Sequence, residues 1–359
     1  DLDHPDLNAK ILTHLGWNFI ADDANVDDDH GHGTHVAGIA AAATDNEIGI
    51  AGVGWNATIL PLKALDSAGQ GYFLDVAEAI TYAAAKGVDV INLSLGPKTD
   101  VRMSCPEYLQ DAVDDASEAN VTLVAAAGNN GERDDGEWIE IPPANCRHVI
   151  GVAATRNDDT LPVYSSPGSH VSTAAPGGDR GDATSAIYST LMGGQYGSLF
   201  GTSMATPHVA GLAALLLARY PTYSPDQIAS AILDNAVDLG DPGWDEYYGC
   251  GRIDAAQALS AGAHAAEPLC LEGATSSALS PQQPAPDAAF APGEIIVHYQ
   301  PGTVVPAPSR AYAARAEHLP SLDLWLLRVP VGQERAVLAR IRADPDVLYA
   351  DLNYRVFAQ

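Results

Sequence analysis

Gly201-Thr202-Ser203-Met204-Ala205-Thr206-Pro207-His208-Val209-Ala210-Gly211 runs straight into an apolar segment that ends near Tyr220. From Val209 to Ala218 there is no polar side chain. The pattern predicts a core helix, apolar on every face, whose start is rigidly held. Ser203 falls at or just inside its N-terminus, where N–H groups lack intrahelical partners and the macrodipole favours negative charge. An alkoxide or tetrahedral oxyanion formed there is stabilised before any other residue is considered. Pro207 is expected in the first turn, where a missing N–H costs little. Gly201 leaves room for a substrate backbone. Taken alone, such a serine reads as an ordinary helix cap. Two other stretches change that.

His30-Gly31-His32-Gly33-Thr34-His35-Val36-Ala37-Gly38 leads into a second small-residue helix, Ile39 to Ala43. A nucleophilic serine needs a base that takes and returns a proton near neutral pH, and His32, flanked by glycines, suits that task. Leu123-Val124-Ala125-Ala126-Ala127-Gly128-Asn129-Asn130-Gly131 reads as a buried parallel strand ending in a Gly-rich turn. An amide at that strand end, Asn129, can donate to an oxyanion.

With these residues in place, the chain resembles the subtilisin-like serine proteases (subtilases), most closely their thermitase-like, calcium-stabilised branch, over residues 1–262. The resemblance implies His32 as general base, Ser203 as nucleophile and Asn129 as oxyanion donor. It implies that Ser94-Leu95-Gly96 pairs as a strand with the substrate and that Gly69-Gln70-Gly71-Tyr72 forms the opposite wall of the cleft. Ala126, Ala127 and Gly128 are expected to line an open apolar pocket with a broad preference for large apolar side chains before the cut. The family's triad aspartate sits in an Asp-Ser/Thr-Gly turn just before a His-Pro-Asp-Leu segment. Here that segment is His4-Pro5-Asp6-Leu7 and the sequence opens at Asp1. No catalytic aspartate is assigned within 1–359, and the chain reads as a fragment lacking the strand that carries it.

Thr58–Leu65, Val88–Leu95, Val121–Ala127 and His148–Ala153 are short apolar runs suited to a buried parallel sheet, with helical spacing over Leu74–Lys86 and Tyr108–Ala119. This is the pattern of a doubly wound α/β domain, with its functional turns at the carboxyl ends of strands. Residues 263–291 are Ala/Pro/Ser-rich and read as a flexible linker. Beyond it, strands are expected at Gly293–Tyr299, Leu324–Val329 and Val347–Phe357, with a helix at Glu334–Ala343. Residues 292–359 resemble the propeptide of the same family, which implies a small α+β, ferredoxin-like inhibitor domain. The family carries that domain before the catalytic one. Either 292–359 precede a second, tandem protease, the favoured account, or they form a permanent C-terminal inhibitor or folding helper.

The formal net charge is −28. Residues 1–262 hold 11 Lys/Arg against 36 Asp/Glu, whereas 291–359 hold 7 of each. That bias argues against nucleic acid as a partner and suits a soluble, cation-binding or salt-tolerant enzyme, and the composition as a whole fits an extracellular protein. No apolar run reaches a membrane span; peptide substrates, the chain's own propeptide-like domain and a monomeric state are expected. Four cysteines suggest disulfides in an oxidising compartment. Cys105 and Cys146 introduce neighbouring elements, and Cys250 and Cys270 would then pair; spacing alone leaves the pairing open. Thr44-Asp45-Asn46-Glu47-Ile48-Gly49-Ile50 resembles the family's calcium loop. The likeness implies Ca²⁺ held by Asp6, Asn46 and the carbonyls of Thr44, Ile48 and Ile50, an oxygen-only set. Asp22, Asp23, Asp27 and Asp28 offer a second, weaker site or a solvated acidic loop. His30, His32, His35 and Asp29 could instead ligate a transition metal; with Ser203 and Asn129 present, that is the lesser reading. His35 and His208 read as structural.

Overall fold

The structure, a computed structural model, describes residues 1–132, 138–181, 184–263, 268–271, 289–301, 303 and 313–359. In chain order the elements are β1 (Trp17–Asn18), α1 (His32–Ala41), β2 (Leu62–Lys63), β3 (Gln70–Tyr72), α2 (Phe73–Ala85), β4 (Val90–Leu93), β5 (Leu95–Gly96) and α3 (Glu107–Glu118). They continue with β6 (Thr122–Ala126), β7 (Val149–Thr155), β8 (Thr173–Pro176), β9 (Ile187–Leu191), β10 (Gln195–Leu199), α4 (Thr202–Arg219), α5 (Pro225–Leu233) and α6 (Ala255–Ala261). The last are β11 (Phe290–Tyr299), β12 (Arg315–Leu319), β13 (Leu324–Arg328), α7 (Glu334–Ile341) and β14 (Val347–Ala358).

A parallel sheet in the order β4-β6-β7-β8 forms the centre. Its strands are mostly apolar because both faces are covered. Leu123 and Ala125 point toward α2 and α3, whereas Val124, Ile150 and Val152 pack against Val209, Leu212 and Leu216 of α4 and Ile228 of α5. Leu212 and Leu216 are fully buried, so truncating either to alanine should cost about 2–5 kcal/mol.

Two expectations need correction. Thr58–Leu65 is not a strand of this sheet: Pro61 interrupts the run, Leu62–Lys63 pairs with β1, and Ile59 makes a single bridge to Ile11. A proline has no N–H for a ladder, which excludes it from a central strand. The fourth strand is β8 instead, whose Thr-Ala-Ala-Pro sequence carries almost no β signal. The hairpin β9–β10 and strand β12 were likewise not expected from their sequences, which lack an apolar alternation.

After residue 289 the strands are antiparallel, in the order β12-β13-β11-β14, with α7 packed on β11 and β14. The expected linker lies mostly outside the described residues. This sheet does not stand apart. Ile295, Val297, Leu352 and Tyr354 share one apolar cluster with Phe73, Val76, Tyr108 and Ala112 of α2 and α3. Tyr108 Oη donates to the Leu352 carbonyl at 3.3 Å, and Asn353 Oδ1 accepts from the Leu74 N–H at 3.2 Å. That second contact satisfies a donor in the first turn of α2 that has no intrahelical partner.

Candidate active site

Ser203 is the second residue of α4, after a Gly201 cap at φ 146°, and its side chain is fully buried. Pro207 is the sixth residue, not in the first turn as expected. Its missing N–H deprives the Ser203 carbonyl of its helical donor. Ser94 supplies one: its Oγ–H donates to the Ser203 carbonyl at 3.0 Å and accepts from Asn92 Nδ2 at 2.9 Å. In return Ser203 Oγ donates to the Ser94 carbonyl at 3.1 Å. The role of the Ser94 hydroxyl was not foreseen, although Pro207 within an otherwise unbroken helix is its sequence signal.

His32 is the first residue of α1 rather than lying before it, after Gly31 at φ 95°. Asp28 caps this helix start. Its carboxylate accepts from the N–H groups of His30, Gly31 and Thr34 and from Thr34 Oγ1, all at 2.7–2.9 Å. Burial opposes its ionisation, but these hydrogen bonds outweigh that and hold its pKa well below the usual carboxylate range. Asn129 follows β6. Its Oδ1 accepts from both the N–H and the Oγ1 of Thr202 at 2.9 Å, which leaves the Nδ2 end of the amide on the side of Gly201.

Strand β14 sets the Gln359 carbonyl beside His32 and Gly201. Arg355, Val356 and Phe357 pair antiparallel with Tyr72, Gly71 and Gln70, while Phe357 and Ala358 pair with Gly96 and Leu95. The Ala358 N–H donates to the Gly69 carbonyl at 3.0 Å and the Gln359 N–H to that of Ser94 at 3.5 Å. Both proposed walls of the cleft are therefore hydrogen-bonded to the same segment, the addition of a strand between two free edges. His32 Nε2 lies 3.3 Å from the Gln359 carbonyl oxygen. A Cβ built on Gly201 would sit 3.3 Å from Asn129 Nδ2 and 3.5 Å from that same oxygen. Ala126 ends β6 and Ala127 and Gly128 follow it, all buried, with the Ala127 carbonyl accepting from His170 Nε2 at 2.8 Å. Beneath this segment burial pushes the His32 imidazole down from 6.5 to about 4, only partly offset by the hydrogen bond to Gln359.

A subtilase family model matches residues 1–251. The chain belongs to the subtilase family. It is 42% identical over 260 residues to a thermophilic serine proteinase of Bacillus sp. (strain AK1), covering 72% of this chain and 59% of that protein. Thermitase of Thermoactinomyces vulgaris is likewise 42% identical, over 256 residues, 71% of this chain and 84% of that protein. Among solved structures, a protease of Pseudoalteromonas arctica PAMC 21717 superposes with a TM-score of 0.63 at 33% identity, covering 72% of this chain and 86% of that one. A fervidolysin N-terminal prodomain model matches residues 276–353.

In this subtilase the disulfides are Cys105–Cys146 and Cys250–Cys270. Among the described residues no group of three or more His, Cys, Asp or Glu side chains is arranged to hold a metal ion. The acidic set Asp22, Asp23, Asp27 and Asp28 and the set His30, His32, His35 and Asp29 are thus not ligand clusters. Asp28 is a helix cap instead. Asp6 is fully buried, and its carboxylate accepts from Asn46 Nδ2 at 2.6 Å, the Ile50 N–H at 2.9 Å and Tyr196 Oη at 3.0 Å. These donors are all neutral, and loop 44–50 wraps the carboxyl with left-handed turns at Asp45, Glu47 and Gly49. The donor chemistry fits a hard cation. His35 and His208 are built into the core, with His35 Nε2 at 3.2 Å from the Gly197 carbonyl and His208 Nδ1 at 2.8 Å from that of Met204.

Docking of β14 also buries carboxylates. Asp75, in the first turn of α2, is raised from 3.8 to about 7, by burial first and then by Glu78 and Glu294, against the Tyr72 N–H. Asp351 is raised to about 6, mainly by burial. An acid raised on docking favours the docked state when protonated; that contribution is complete below about 3.8 and is lost as pH rises through about 7. His32, a lowered base, acts in the opposite sense as pH falls from 6.5 toward about 4. Hydrogen exchange of the β14 amides, corrected for intrinsic rates, should show stronger protection at pH 6 than at pH 8. Asp75→Asn should remove most of the difference. Protection independent of pH over that range would refute the burial account.

Proposed function

We propose that the chain is the core of a secreted serine endopeptidase. Ser203 attacks the peptide carbonyl, His32 takes the proton and delivers it to the leaving amine, and Asn129 Nδ2 with the Ser203 N–H holds the oxyanion. The supporting observation is the placing of the Gln359 carbonyl beside His32 Nε2 and Gly201, the cap of the helix that carries Ser203, in a strand paired on both sides as a substrate would be. The triad acid belongs to the Asp-Ser/Thr-Gly turn that precedes the His-Pro-Asp-Leu segment in the family. Residues 1–262 are the peptidase domain, 263–291 a linker, and 292–359 a ferredoxin-like, propeptide-type domain. Ser94, Leu95, Gly96, Gly69 and Gly71 bind the substrate backbone; Ala126, Ala127 and Gly128 border its side-chain pocket. Casein hydrolysis and phosphonylation mapped to Ser203 in the protein carrying that turn test this reading. Both should vanish in Ser203→Ala.

A second reading, a self-inhibited binding module, has its own support. Ser203 Oγ is turned to the Ser94 carbonyl and His32 Nε2 faces Gln359, so neither meets the other. Persistent lack of labelling once β14 is displaced would favour it.

Ca²⁺ is proposed at Asp6, Asn46 and the carbonyls of Thr44, Ile48 and Ile50, where it would neutralise the buried carboxylate. An ion bound only by the native state at one hundred times its Kd contributes about 2.7 kcal/mol. A chelator should therefore lower Tm by several degrees. Asp6→Ala should abolish that chelator response, and a Tm indifferent to chelator in the native protein would remove the site.

A further inference from the structure

The two glycines that border the pocket are not separated by open space. A Cβ built on Gly96 would lie 2.9 Å from Ile141 Cδ1, and one built on Gly128 would also lie 2.9 Å from it. One methyl group therefore fills the gap between the strand that binds the substrate and the turn after β6. Ile141 is fully buried, so the methyl is held by its surroundings and does not swing into solvent. The side chain of Gln359 enters the same gap. Its Nε2 is 3.1 Å from the Gly96 Cβ position and donates to the Pro97 carbonyl at 3.2 Å. An unbranched side chain can pass beside the Ile141 methyl and place a donor on that carbonyl. A flat aromatic ring needs the width the methyl occupies, and a carboxylate would set negative charge against the Pro97 oxygen with no donor to offer.

We propose that Ile141 narrows the specificity slot, and that the cleft selects peptides with glutamine, or another unbranched uncharged side chain such as methionine, at the residue before the cut. The inference rests on the protease reading and departs from the large apolar preference expected from the sequence. Discrimination in such a slot is worth a factor of roughly 10 to 100.

The test uses the full chain and needs no turnover. Hydrogen exchange is followed at the Ala358, Leu95 and Gly96 amides, with β6 and β7 as the folding control. Gln359→Phe and Gln359→Glu should each speed exchange about tenfold or more, whereas Gln359→Met should stay within about twofold of native. Combining Gln359→Phe with Ile141→Val, which removes only the methyl in the gap, should restore most of the protection; Ile141→Ala is the larger version of the same change. Gln359→Phe protected as well as the native chain, or no recovery with either Ile141 variant, overturns the assignment. Phosphonylation of Ser203 is scored separately. Its absence in the protein carrying the upstream turn, with β14 displaced, overturns the catalytic reading, whereas a labelled serine there together with a Gln359→Phe variant that stays docked overturns only the slot.

Discussion

Replacing His32 with alanine should slow phosphonylation of Ser203 by about 10⁴-fold or more, which is the general experience with such triads, subtilisins included. The hydroxyl is weakly nucleophilic at its own pKa, and the start of α4 can stabilise an alkoxide only after something has taken the proton. Among the described residues His32 is the base at that spot: its Nε2 reaches the carbonyl that occupies the cleft, 3.3 Å away. Two other histidines nearby are committed, His35 to the Gly197 carbonyl and His208 to that of Met204. The measurement is the pseudo-first-order labelling rate in the protein carrying its upstream turn, with β14 displaced. Labelling unchanged in His32→Ala would mean that another group, or water alone, activates the serine. Asn129→Ala should give a smaller loss of about 10²–10³, since it removes one oxyanion donor and leaves the base in place.

The long apolar stretches made most of the central fold legible. β4, β6 and β7 are dominated by Val, Ile, Leu and Ala, as a sheet covered on both faces requires, and α4 has no polar face at all. β8 was illegible because Thr-Ala-Ala-Pro gains its strand conformation from partners, not from its own residues. Pro61 was the overlooked warning in the Thr58–Leu65 run. Within the site, the positions of Ser203, His32 and Asn129 follow from helix starts and a strand end, which local sequence signals well. The Ile141 methyl depends on the meeting of three loops far apart in sequence, and no local pattern encodes that. The support of the Ser203 carbonyl by Ser94 lies between these cases, since a proline six residues into a helix announces a missing donor without naming its replacement.

Val356→Asp should release the cleft. Val356 is fully buried in β14, opposite Gly71, within the apolar cluster shared with α2 and α3. An unpaired carboxylate there costs several kcal/mol, or forces its own protonation at a comparable cost. At about 1.4 kcal/mol per decade, docking should weaken by about 10²-fold or more. A tether sets the scale that this loss must overcome, because joining the two units in one chain gives an effective concentration in the millimolar range when the connection spans the distance. A docked segment with an intrinsic Kd near a micromolar would then be about 10³-fold favoured, and the substitution would bring it close to balance. The observable is exchange at the Leu95 and Gly96 amides together with the labelling rate of Ser203, both of which should rise. Phe357→Ala acts in the same direction with a smaller effect, since its ring is only partly buried and is covered by Lys98 Nζ at 4.9 Å. That variant keeps the rest of the C-terminal sheet intact, so a rise there too would trace the effect to the cleft and not to unfolding of the unit. If neither substitution changes exchange or labelling, residues 292–359 do not control this cleft. The account in which they serve a second catalytic domain would then stand.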